Sequence, residues 1–162
     1  MSVFKTTFSR SNRAHPSDNA VIAFPGALNS TGTNTTATAS KLINSAANFI
    51  TIPVYPGDVV HNDTAGTSAT VVTVDSATQL TLNANIFTTT AQAYAIYSMG
   101  AQAGIGNTGA ILYIGGAGNV SVITIGGDII TFTGVAVGTT LPIQVSQLRA
   151  TGTTATLINA MW

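Results

Sequence analysis

The stretch ILYIGGAGNVSVITIGGDIITFTGV, residues 111–135, decides the fold class. Three apolar runs rich in Ile, Val and Thr are separated by two glycine-rich turns, and β-branched side chains of this kind favour a pleated surface over a helix. Gly126-Gly127-Asp128 reads as a compact hairpin turn, because glycine reaches the positive φ values that primed turns require. Two further runs follow, LPIQVSQLR at 141–149 and TATLINAMW at 154–162. About five strands result, which predicts an antiparallel meander or Greek key.

Upstream the same signal repeats. Pro56-Gly57 opens the short runs DVVHN, SATVVTV, QLTLN and AYAIYS, divided by DTAGT, DSAT and ANIFTTTAQ, whose Asp, Gly, Ser and Asn supply turn chemistry. Val72 and Val74, then Leu80 and Leu82, show the period of two expected of half-buried strands. These four strands predict a small barrel or sandwich. KLINSAANF, residues 41–49, reads as one or two helical turns, and GAQAGIG at 100–106 as a flexible linker. Before Lys41 the chain passes through Pro16, Pro25-Gly26 and NSTGTNTTATAS with no sustained periodicity. Within it AVIAFPG, residues 20–26, is apolar enough to add a strand to a neighbouring sheet or to anchor on a partner. The sequence thus predicts an all-β protein: an extended N-terminal arm (1–41), a first antiparallel β module (42–99), a linker (100–106) and a second module (107–162), each module sandwich-like or barrel-like.

Composition narrows the function. Only 6% of the 162 residues are charged, 45% are hydrophobic, and both Glu and Cys are absent. Average soluble domains carry roughly 25% charged residues, so water meets mainly neutral hydroxyls and amides here. A formal net charge of zero removes the self-repulsion that keeps proteins apart and suits a member of an assembly. It also argues against nucleic acid as a partner, since phosphate neutralisation needs clustered Lys and Arg. No run approaches the 18 or so apolar residues of a membrane span. The absence of Cys removes any disulfide framework.

The charges are unevenly placed. Lys5, Arg10, Arg13 and Lys41 lead the chain against Asp18 alone, while Asp58, Asp63, Asp75 and Asp128 later face only Arg149. A basic arm ahead of a mildly acidic body is suited to docking on an acidic protein surface. Modules of under about 60 residues bury a low fraction of their surface, and without disulfides they gain stability by packing on each other and on copies of themselves. Leu157, Ile158, Met161 and Trp162 form the candidate oligomer interface. The indole of Trp162 offers roughly 200 Å² for burial, either in its own module's core or between subunits.

Chemistry-bearing patterns are few. Gly104, Gly106 and Gly109 satisfy G-x-G-x-x-G, but the dinucleotide fingerprint must follow a strand and open a helix, whereas this one leads into ILYIGG. GDVVHND brings Asp58, His61 and Asp63 close in sequence. In a strand His61 and Asp63 face one way and Asp58 the other, so the three do not converge, and no metal or other cofactor is expected. His15 lies in the arm, far from His61, and no serine has a nucleophile-elbow context. The expectation is a protein that is not an enzyme.

Two segments carry a family resemblance. GDVVHNDTAGTSATVVTVDSATQLTLNANIF, residues 57–87, resembles a β segment recurring in structural proteins of tailed bacteriophages. GGAGNVSVITIGGDIITFTGV followed by LPIQVSQLRATGTTATLINAMW is similar to the end of small phage virion proteins, most specifically in Leu141-Pro142, the run from Thr151 to Ala155 and Trp162. The resemblance implies a capsid cement or decoration protein: a β-rich homotrimer, made in the host cytoplasm and carried on the virion surface, that bridges neighbouring major capsid subunits. Lys5, Arg10 and Arg13 would then contact the capsid. A tail, head-fibre or baseplate component is the alternative, and a β module displaying loops to host glycans a third, although Tyr55, Tyr94, Tyr97 and Tyr113 lie in or beside the expected strands.

Overall fold

Alternation and turn chemistry give a chain built of strands, and the computed structural model, which describes residues 10–99 and 109–162, contains twelve of them. They are β1 (Ser11–Arg13), β2 (Leu28–Thr33), β3 (Lys41–Ile43), β4 (Val59–Asn62), β5 (Thr67–Ser76), β6 (Gln79–Leu82), β7 (Ala93–Tyr97), β8 (Ile111–Gly116), β9 (Gly118–Thr124), β10 (Ile129–Val135), β11 (Val145–Leu148) and β12 (Thr156–Met161). The fold is all-β. A single 3-10 turn at Pro25–Ala27 is the one helical element among the described residues, and no helix there is long and apolar enough to cross a membrane. All strand pairs are antiparallel and form three open sheets, ordered β2-β7-β4-β5-β6-β3, β1-β12-β8 and β10-β9-β11, none closed into a barrel.

In the six-stranded sheet the period of two divides the side chains cleanly. Val60, Ala69, Val71, Tyr94 and Ile96 face one core together with Leu42, Phe49, Leu80, Leu82 and Phe87. Val59, Ala95 and Tyr97 face the other way, onto Ala20, Ala23 and Ala27. The second face is therefore covered by residues that the sequence assigns to the arm.

The second module packs β1-β12-β8 against β10-β9-β11 around Leu112, Ile114, Val120, Val122, Val145, Leu148 and Ile158. Gly127, at φ +92°, makes the expected hairpin between β9 and β10, closed by Gly127 N–H to Thr124 O at 3.0 Å. The other glycine-rich break behaves differently. β8 and β9 lie in different sheets, so the chain turns a corner at Gly118 instead of making a hairpin. Gly118 sits at φ +153°, and a Cβ there would fall 2.7 Å from Thr154 C and 2.8 Å from Ala155 Cα; only glycine lets the strands cross so closely.

Two expectations are corrected by the structure. Residues 41–49 form β3 and turns with no helix, because Asn44 Oδ1 accepts Ala46 N–H at 3.0 Å and Asn48 Oδ1 accepts the N–H groups of Ile50 and Thr51 at 3.2 and 3.1 Å. Such local side-chain bonds compete with helix formation. The described part of the arm, residues 10–41, is also woven into both modules. β1 pairs with β12 and β2 with β7, and Ala14 and Ile22 lie in the second module's core. Ser17 N–H donates to Leu148 O at 2.8 Å while Ser17 Oγ donates to Ser68 O at 2.9 Å. Thr70 Oγ1 and Asn83 Nδ2 donate to Asn19 O. Residues 10–27 are the joint between the modules; the linker at 100–106 lies outside the described residues.

Candidate functional site

The joint brings together side chains that are distant in sequence. His61 stands in β4 opposite Ser68 of β5 and Ala95 of β7, buried on the face that residues 10–27 cover. Ala14 points into the second module's core, and the next residue, His15, turns towards the first. Its ring stacks on His61 with centroids 4.4 Å apart and planes 18° from parallel. Tyr97 flanks His61 at 4.7 Å, and Asn12 Nδ2 donates to the Tyr97 hydroxyl at 3.2 Å. Asp63, two residues beyond His61, is exposed at the same edge. One nitrogen from each histidine and a carboxylate oxygen of Asp63 all lie within 4.8 Å of one another.

Burial dominates the electrostatics. It pushes the His61 imidazole down to about 3, and neighbouring His15 adds to the shift. Burial lowers His15 as well, against the opposing pull of Asp63. Burial likewise raises Asp63, with His15 working the other way. Two neutral imidazoles and a carboxylate form a donor set suited to borderline transition metals. Two buried polar atoms on this side of the joint, His15 Nδ1 and Ser68 Oγ, have no hydrogen-bond partner among the described residues. Buried polar groups are nearly always paired.

The sequence grouped His61 and Asp63 with Asp58, and the structure replaces Asp58 by His15. The Asp58 carboxylate instead accepts Tyr55 N–H at 2.9 Å and Met99 N–H at 3.2 Å. His15 is invisible to local reading, because 45 residues separate it from His61 and only the folded joint unites them. Of the glycine motif, Gly104 and Gly106 lie outside the described residues, while Gly109 backs onto Ile125 and leads through the Ala110–Val145 bridge into β8.

The proposed contact residues fall into different environments. Lys5 lies outside the described residues. Arg10 is exposed with its guanidinium 5.7 Å from the centroid of Phe24, and Arg13 is exposed on β1. Ile158 is 2% exposed within its own module's core, so its side chain is already used by the fold and is withdrawn from the interface set. Trp162, half-buried, packs on the same core and meets Phe24 edge-on at 5.3 Å, its backbone tied to Arg10 by a 3.0 Å hydrogen bond. Met161 is half-buried and Leu157 is exposed. Tyr94 and Tyr97 are buried, whereas Tyr55 in the first module and Tyr113 in the second are exposed.

No protein-family model, curated protein or solved structure matches the chain.

Proposed function

We propose that the chain is a structural component of a tailed-phage virion, a cement protein that self-associates, as a trimer by the resemblance, and bridges neighbouring major capsid subunits from outside. The observation that carries the assembling role is the outer face of β1-β12-β8. Ala160, Leu112, Ile158 and Ile114 point into the core, so their alternates Met161, Ile111 and Tyr113 point outward, with Leu157 beyond them. Ile111 pairs with Met161 and Tyr113 with Asn159, which aligns these apolar side chains in one band. Arg13 lies beside the band, opposite Asn159.

Leu157 singles this face out. It is held at φ +51°, a left-handed backbone that costs a branched L-residue about 1–2 kcal/mol, and its side chain is 56% exposed. Gly115 opposite makes the kink possible, since a Cβ there would meet Leu157 O at 2.6 Å. A strained, exposed leucine serves no core, and burial against a second copy supplies its reason. A further exposed edge, β10, is seven residues long, free of charge and, among the described residues, paired only with β9. Natural proteins guard such edges unless something covers them.

The capsid placement rests on the resemblance of residues 115–135 and 141–162 to small phage virion proteins, together with the nearly uncharged surface. Its mechanism is burial of surface across shell joints, which raises the free energy of opening them against internal pressure. Cryo-electron microscopy of the particles that carry this chain tests it. Density for paired β modules over the joints between capsid subunits is the expected result; a position on tail, fibre or baseplate, or absence from the particle, overturns the cement role.

A further inference from the structure

We propose that His15, His61 and Asp63 bind one divalent transition-metal ion of the zinc class, and that the ion staples the N-terminal segment to the first module's sheet. The three donors converge within 4.8 Å although they come from two separate segments. Two imidazoles and one carboxylate, with no thiolate, match zinc, cobalt(II) or nickel(II) better than the oxygen-seeking magnesium and calcium. Three protein ligands leave a fourth position, which faces solvent on the exposed Asp63 side and takes a water molecule.

His15 Nδ1 is buried without a hydrogen-bond partner among the described residues, and coordination would satisfy a polar atom that burial otherwise leaves unpaired. Tyr97 and the strand β4 fix His61. Donors around tetrahedral zinc stand about 3.4 Å apart, so coordination draws the cluster inward and opens the stacked rings. The half-buried His15 and the exposed Asp63 are the two that move. The consequence is structural: the ion joins residue 15, whose neighbour Ala14 bonds Ile158 O at 2.9 Å, to β4, and so locks the two modules together.

Isothermal titration of the untagged, chelator-treated full-length chain with zinc sulfate, paired with visible absorption on cobalt(II) addition, tests the site. One ion per chain, a tetrahedral cobalt band, and binding weakened at least about tenfold in both Asp63→Asn and His15→Gln are expected. Circular dichroism checks that each variant folds, and if His15→Gln does not fold, the exposed Asp63→Asn decides alone. Undetectable zinc binding, affinity unchanged in folded Asp63→Asn, or a preference for magnesium or calcium would overturn the proposal.

Discussion

Replacing Leu157 with glycine separates folding from assembly. Relief of the left-handed backbone returns about 1–2 kcal/mol, glycine gives up about 0.5–1 kcal/mol in backbone entropy, and the buried minority of the side chain gives up about 1 kcal/mol. The sum lies within about 1 kcal/mol of zero, so the isolated chain keeps its stability. The exposed 56% of the leucine is what a second copy would cover in the proposed oligomer, worth roughly 1 to 1.5 kcal/mol per chain. Self-association should weaken by about tenfold for each copy contributing to the interface. Urea unfolding of dilute protein reads the first quantity and sedimentation velocity the second. Loss of more than about 2 kcal/mol of monomer stability with association unchanged would show that Leu157 serves its own fold, and the reasoning would fail.

Three other outcomes follow from the same contacts. Gly115→Ala should destabilise by at least about 2 kcal/mol, measured by urea unfolding, because the added Cβ meets the Leu157 carbonyl and its Cβ at 2.9 Å. Ile22→Ala should cost about 2–4 kcal/mol and lower the unfolding midpoint of the second module, since Ile22 is in that module's core; a free arm would tolerate the change. Asp75 is held well below the usual carboxylate range, first by Gln79, then by Lys41, Thr73 and Thr81. The unfolded state therefore binds more protons in acid, so this contribution is complete above the ordinary carboxylate pKa and is lost as pH falls below it. Asp75→Asn should flatten that acid limb in stability-versus-pH curves, while solvent screening keeps the loss at neutral pH below about 1 kcal/mol.

The sequence made β4–β12 legible because alternation and glycine or aspartate turns act locally. It hid β1 and β2, whose residues SNR and LNSTGT carry no apolar period; they are strands because β12 and β7 offer them unpaired edges. Asn44 and Asn48 undid the helical reading of 41–49 through their own backbone bonds. At the site, the period of two placed His61 and Asp63 together and sent Asp58 away, as observed. His15 required the joint, and nothing within a few residues of it signals its partner. Ile158 and Leu157 look alike in sequence; as strand neighbours they face opposite sides, and the pairing of β12 with β8 is what gives Ile158 the core side.

Removal of the first 20 residues, a natural way to probe capsid attachment, also strips β1 from β12 and takes Ala14 and Ser17 from the joint. The charge changes Arg10→Glu and Arg13→Glu leave those contacts in place and are the cleaner probe of docking. The proposed cement role requires that the chain meet copies of itself. Native mass spectrometry of the intact protein over a concentration series tests this most directly: a closed oligomer that Tyr113→Lys dissociates is the predicted result, and a stable monomer at every concentration would contradict it.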